Sequence, residues 1–316
     1  TKDILLQVPI PISTGAANDP VKNAGKIRNK GFEFNLGWND HPTKDIRYSV
    51  NLIGTFNKNE VVEMGNESQS ITGGTIHGGT WTTKTLAGYP IGGFWLIETD
   101  GYFNSDAEAQ NYKSSSGKVI QPSAVAGDIR FKDVNDDGVI DDNDRVYCGS
   151  PFPKFTYSVN GTFAYKNLDV ALTLQGVAGN KIYNATRLQL TDVTNGGNKL
   201  REVLDYWTPQ NTNASVPRLT ANDTNQNNRS ESTRFLESGS YFRLRNLQIG
   251  YTLPKSWLHG VVRNVRVYVS ADNLFTITSY KGYSPDVNAS SVYQRGFDEF
   301  IYPNTSTYML GLNVTF

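Results

Sequence analysis

The sequence predicts an all-β chain whose strands build a transmembrane antiparallel β-barrel with long extracellular loops. Apolar residues recur at every second position over segments about as long as the roughly 9 to 11 residues that carry a tilted strand across a bilayer. The composition is rich in aromatic and turn residues, and the connections between segments are either very short or very long.

The alternation is plainest in two hairpins. Phe32, Phe34, Leu36 and Trp38 are followed by Ile46, Tyr48, Val50, Leu52, Gly54 and Phe56, and the His41-Pro42-Thr43 region is placed as the turn between them. Phe155, Tyr157, Val159, Gly161, Phe163 and Tyr165 run into Leu168, Val170, Leu172 and Leu174 through Lys166-Asn167. Residues between these positions are mostly small or polar, so each strand has one greasy and one wet face. Phe155, Tyr157, Leu172 and Leu174 are assigned to lipid. Shorter matches follow at Leu247, Ile249, Tyr251 and Leu253, at Val265, Val267 and Val269, and at Tyr308, Leu310, Leu312, Val314 and Phe316. An aromatic Phe316 at the end of an alternating strand fits a barrel's terminal strand.

Among the 316 residues are 17 tyrosines, 15 phenylalanines and 29 glycines but only two methionines and one cysteine, a balance that disfavours a helical enzyme. Thirty basic residues offset thirty acidic ones, which leaves no field to attract nucleic acid. With Cys148 alone, no intrachain disulfide forms, and a thiolate metal site is disfavoured. No stretch has the roughly 18 consecutive apolar residues of a membrane helix, and the first residues lack a signal peptide's order. Export then requires an address upstream of Thr1, and the abrupt Ile4-Leu5-Leu6 opening suggests a mature or truncated piece.

Polar tracts at about residues 58–93, 99–150, 178–240 and 279–304 exceed ordinary connections and are assigned as loops. Arg201 to Trp207 suits a short helix or a strand, and the Asn-rich run from Thr220 to Ser230 reads as a surface segment.

Several segments resemble, in order, the C-terminal third of the SusC/RagA family of TonB-dependent outer-membrane transporters. They are Asn29-Lys-Gly-Phe-Glu-Phe34, Gly127-Asp-Ile-Arg-Phe-Lys-Asp-Val-Asn-Asp-Asp-Gly-Val-Ile-Asp-Asp-Asn-Asp-Arg145, Gly149-Ser-Pro-Phe-Pro-Lys154, Tyr241-Phe-Arg-Leu-Arg-Asn-Leu-Gln-Ile-Gly-Tyr251 and Ser270-Ala-Asp-Asn-Leu-Phe275. The resemblance implies that residues 1–316 form the C-terminal portion of a 22-stranded receptor barrel. It also implies a plug domain and early strands outside this chain, a SusD-like surface lipoprotein as a lid, and TonB acting through the plug. Outer-membrane lipid would surround the barrel, and an oligosaccharide or peptide would be the substrate.

The sharpest local motif lies inside the second resemblance segment. Oxygen donors at Asp133, Asn135 and Asp137, a glycine at Gly138, the Val139 carbonyl, Asp141 and Asp144 follow a calcium-loop spacing, with Asp144 in place of the usual glutamate. The reading without a metal is a polar turn in which Asn and Asp cap backbone groups. A structural Ca2+ is the expected cofactor, and no organic cofactor is implied.

Trp81, Trp95, Trp207 and Tyr283 are candidates for stacking on a sugar or clamping a lid, although isolated aromatics more often pack within loops. Gly73-Gly74 and Gly78-Gly79 around His77 do not make a phosphate cradle. His41, His77 and His259 stand alone, without a nucleophile elbow or metal spacing, so no catalytic residue is assigned. Two other classes stand beside transport. A soluble extracellular calcium-stabilised β-rich glycan-binding module would seal its apolar residues in a closed core, and a β-rich hydrolase would need a cleft with paired carboxylates.

Overall fold

Seven strands hydrogen-bond in chain order into one antiparallel sheet. They are β1 (Gly25–Thr43), β2 (Ile46–Met64), β3 (Phe155–Tyr165), β4 (Leu168–Ala178), β5 (Tyr241–Thr252), β6 (Asn264–Thr278) and β7 (Thr307–Thr315). The computed structural model describes residues 5–7, 21–23, 25–64, 70–75, 80–258, 261–287 and 291–316. Ile4, Gly78-Gly79, His77 and His259 therefore lie outside the described residues. Leu5–Gln7 and Val21–Asn23 form a separate antiparallel pair.

The connections alternate. Residues 44–45, 166–167 and 253–263 join strands at one end of the sheet, while residues 65–154, 179–240 and 279–306 join them at the other. A meander of this kind puts every long insertion on one side, as in outer-membrane barrels.

Register gives the sheet its two faces, because residues paired across neighbouring strands share a side. Trp38 pairs with Val50, Val50 with Gly161, Gly161 with Leu172, Leu172 with Leu247, Leu247 with Ala271 and Ala271 with Tyr308. The next rung runs from Tyr48 through Phe163, Val170, Ile249 and Val269 to Leu310. Phe155, Tyr157, Leu172 and Leu174 all belong to this apolar face, and none is packed into a core. Leu36, Trp38 and Leu310 are 62%, 65% and 77% exposed.

The apolar band has a defined height. At about 3.4 Å per residue, the step from Phe155 to Tyr165 covers about 35 Å along the strand, or about 25 Å once tilted near 45°, which matches a membrane barrel's apolar belt. Aromatic rows mark its borders. Phe32, Phe56, Phe155 and Phe242 lie toward the insertions, with Phe56 and Phe155 stacked at 4.3 Å, and Tyr48, Phe163, Tyr165 and Tyr251 lie toward the turns. Gly54 is required beneath this layer, since a Cβ there would sit 2.3 Å from the Phe34 ring.

Among the described residues, the sheet buries only Val61, Tyr241 and Leu244 of its apolar side chains. The main core lies in a cap built by the insertions. The first insertion forms a four-stranded sheet from residues 145–149, 93–97, 83–86 and 70–73. The second and third meet in another sheet of Lys181–Asn184, Leu236–Ser238 and Phe297–Asp298. Phe94 and Leu96 from the first, Tyr183, Leu188 and Phe235 from the second, and Phe297 from the third make one core, with Tyr183 and Phe297 stacked at 5.4 Å. Surface loops on their own would leave such groups exposed; shared burial fixes all three insertions together.

Three local readings change. The first turn is Lys44-Asp45, because β1 passes through a register shift between Asp40 and Thr43 that accommodates Pro42, a residue tolerated at bulges. β2 runs on to Met64, beyond the expected loop boundary at residue 58, because its ladder with β1 continues to the Gly25–Met64 pair, with Lys26–Glu63 and Arg28–Glu60 ion pairs across it above the apolar band. Residues Thr220 to Ser230 are not simply surface: Asn225 and Asn227 are buried, Asn227 accepting from the Ile129 amide at 2.7 Å and donating to Asp128 at 2.8 Å. Asparagine supplies both a donor and an acceptor to buried backbone, which a compositional reading overlooks.

The two faces predict unequal tolerance of charge. In the intact receptor, Leu172→Arg at the middle of the band should cost about 2–4 kcal/mol, whereas neighbouring Ala171→Arg should cost less than about 1 kcal/mol. Reversible denaturant unfolding in lipid compares the two, and equal penalties would contradict the assignment of faces.

Candidate functional site

The wet face is built rung by rung from polar side chains that bond across strands. Ser49 and Thr162 hydroxyls meet at 2.6 Å, Thr173 donates to Asn160 at 3.0 Å, and Asn246 donates to Asp272 at 2.7 Å. Near the turns, Arg266 donates to Asp169 at 2.9 Å and to Gln248 at 3.0 Å. Such a surface offers hydrogen bonds to water or to a polar solute along the length of the sheet.

A bulge concentrates cations at the insertion end. Against β4 the ladder of β5 passes from Thr173–Asn246 directly to Leu174–Leu244, so Arg245 is an extra residue, while on its other side it faces both Asn273 and Leu274 of β6, with Asn273 at a positive φ of 50°. The consecutive Arg245 and Asn246 consequently both engage the wet face, beside Arg243. Arg245 donates to Gln175 at 2.7 Å, and Arg243 donates to Thr276 at 2.8 Å and pairs with Asp286 from the third insertion. Asn304 donates to the same carboxylate at 2.8 Å. Arg243 thus clamps the third insertion to the rim of the sheet. The signal in the sequence is Arg243-Leu-Arg-Asn-Leu247, where two leucines stand three apart and break the alternation.

Buried charges lock the cap. Asp128 is fully buried and accepts from Arg218 Nε at 2.6 Å and from Asn227. Arg187 pairs with Glu202 and lies 3.6 Å from Glu237, and Lys281 of the third insertion reaches Glu202 at 3.1 Å. Burial favours the neutral form of Glu202, but Arg187 and Lys281 outweigh it and hold its carboxyl below the usual value.

Of the predicted aromatics, three are spent on packing. Trp81 stacks on the Arg145 guanidinium at 4.0 Å, Trp95 packs against Tyr89 and Tyr147, and Trp207 lies buried over Gly127. Tyr283 is 77% exposed and free to meet a solute or a lid. Burial pushes the Cys148 thiol up to about 11, which removes it as a nucleophile at neutral pH.

The Asp133–Asp144 loop is closed by its own amides. Asp133 accepts from Gly138 N–H at 2.8 Å, Asn135 from Asp137 N–H at 3.2 Å, and Asp137 from Val139 N–H at 2.9 Å. Buried Asp144 accepts from Val134 and Asp141 N–H groups, each at 2.8 Å, while Asp141 accepts from Asn143 N–H in a reciprocal capping box. Gly138 takes a positive φ of 76°. Among the described residues no three acidic, His or Cys groups converge on one point, and Asn135 Nδ2 is turned into Asp137. These bonds hold the loop as a polar turn, each carboxylate keeps lone pairs beyond the amide it accepts, and buried Asp133 Oδ1 has no partner.

This geometry predicts that Asp144→Ala, which removes the acceptor of two part-buried amides at about 1 kcal/mol each, lowers the melting temperature of the intact receptor with or without EDTA. EDTA alone should leave the wild-type melting curve unchanged. A calcium-dependent rise that Asp133→Asn abolishes would contradict it.

No known family profile matches the chain. Over its whole length it is 32% identical to the TonB-dependent receptor P3 and 31% identical to the TonB-dependent receptor P26, both from Formosa agariphila, of which it covers 31% and 32%. It is 26% identical to the TonB-dependent receptor SusC of Bacteroides thetaiotaomicron, covering 29% of it. The fold matches the RagAB peptide transporter structure with a TM-score of 0.75 at 23% identity, over all of this chain and 32% of that one. The chain thus spans about a third of the length of the curated relatives it matches. A likeness that runs unbroken along the chain, carried on a sheet with the two faces of a barrel wall, places it among the SusC/RagA-type TonB-dependent receptors, as a part of one.

Proposed function

We propose that the chain forms part of the wall and outer mouth of a TonB-dependent importer in the outer membrane, carrying bulky nutrients such as oligosaccharides or oligopeptides. A SusD-like lipoprotein would cover the mouth, and TonB would act through a plug supplied by another part of the receptor. The observation that carries the reading is the continuous apolar face, exposed across all seven strands and backed by a hydrogen-bonded polar face. A soluble glycan-binding module would put those side chains in a closed core, and here the core lies in the cap instead.

Two further features support a partial wall. β1 and β7 are the edges of the sheet and do not pair with each other. In lipid, unpaired strand edges cost several kcal/mol per backbone group, so both edges require further strands. The solved relative is named as a peptide transporter, which favours an oligopeptide among the substrates to test first. Chemistry on the solute has no part in this reading: the polar face binds and guides.

The test is uptake by cells lacking the receptor and complemented with the full-length gene. Wild type should restore accumulation of size-fractionated oligopeptides or oligosaccharides only when TonB is present, and a lipoprotein should co-purify. Arg243→Ala, which removes one attachment of the third insertion to the rim, should lower uptake about ten-fold, since a hydrogen bond to a charged group contributes about 1.5–3 kcal/mol. Uptake independent of TonB would contradict the proposal.

A further inference from the structure

We propose that a groove on the outer side of the sheet, at the border of the apolar band and the cap, binds the phosphorylated headgroup of an outer-leaflet lipid. The groove is about 650 Å³ in volume and is lined by Lys30, Phe56, Lys58, Tyr89, Phe152 and Lys154, among others. The inference rests on the reading of the sheet as membrane-spanning, and it names a ligand that this reading does not require.

Charge pairing along the first hairpin singles out the site. Above the band, cross-strand neighbours on the lipid side carry opposite charges: Lys26 meets Glu63 at 2.5 Å, and Arg28 meets Glu60 at 3.0 Å. One rung nearer the membrane the pattern fails, and Lys30 stands directly opposite Lys58. Like charges in facing positions destabilise a sheet unless an anion lies between them. The nearest carboxylate, Glu60, is 3.8 Å from Lys58 and already engaged by Arg28. Lys30 shares the same Glu60 at longer range, and Lys154 forms no ion pair among the described residues. Lys154 is brought alongside by its carbonyl, which accepts from Asn57 N–H at 3.1 Å, and the three lysines line one groove.

The position specifies the source of the anion. The next rung toward the membrane is Phe32 opposite Phe56, the first row of the apolar band, so a ligand here has its charged group among lysines and its remainder against lipid-facing rings. The long insertions mark this end as extracellular. A free anion would gain nothing from exposed Phe56 or half-buried Phe152, whereas an acyl chain or glycolipid would cover them. Basic groups at a membrane border attract anionic lipids over a short range, and each contributes separately.

The experiment uses the complete receptor in phosphatidylcholine nanodiscs containing a minor fraction of lipid A, with retained lipid counted by native mass spectrometry after mild delipidation. Wild type should keep lipid A in preference to phosphatidylcholine. Lys30→Glu, Lys58→Glu and Lys154→Glu combined should reduce retained lipid A about ten-fold or more, whereas the triple Lys→Arg variant should keep it. Folding of each variant is checked by heat-modifiable gel migration. Equal retention in the Glu variant, or displacement of lipid A by millimolar inorganic phosphate, would overturn the lipid site while leaving the transport reading intact. A receptor that stays monodisperse without any lipid or detergent would instead overturn the membrane reading and the site with it.

Discussion

The constraint on which the rest depends is that a strand in hydrocarbon must have every backbone N–H and C=O bonded to a neighbouring strand, since no water is present to take them. Long antiparallel ladders meet that demand, and the pleat then sends alternate side chains to opposite faces. From this follow the unbroken rungs such as Trp38–Val50–Gly161–Leu172–Leu247–Ala271–Tyr308 and the polar bonds behind them. The faces are not interchangeable, because shifting any strand by one residue would bring its apolar set to the wet side.

A sheet with an apolar face toward lipid and a polar face behind it has no interior, so the packed core must form elsewhere. It forms where the insertions leave the membrane. Phe94, Tyr183, Phe235 and Phe297 pool residues from three separate tracts, and Arg187, Glu202 and Lys281 tie two of them together with charge. The cap is thereby a folded body fixed to the rim, and Arg243 with Asp286 is one of its attachments. A mouth of defined shape follows from this linkage, where three unconnected loops would give a variable one.

The sheet was largely legible in the sequence because period-two alternation reports directly which residues face lipid. Both hairpins and the register-defining apolar positions of β3 and β4 were visible in that way. The bulge at Arg245 was not, since one extra residue breaks the period without announcing which face the arginine takes. The cap was harder still. Phe94, Leu96 and Phe297 follow no period, and their burial depends on partners in other insertions, far away in the chain. Polar composition suggested a surface segment, yet Asn225 and Asn227 are buried to satisfy the backbone of Ile129. In the acid-rich loop, spacing alone pointed to a cation, while the same oxygens also suit backbone capping, and only geometry shows how Asp144 is used.

The most direct test of the central claim is collision accessibility of spin labels placed singly along Leu172, Thr173, Leu174 and Gln175, in a Cys148→Ser receptor reconstituted in bilayers. The structure predicts a period of two: labels at positions 172 and 174 collide with oxygen dissolved in lipid, and labels at 173 and 175 collide with a water-soluble nickel chelate. Loss of that alternation, with all four positions equally shielded from both reagents, would mean that the apolar face packs against protein and that the chain is not a barrel wall.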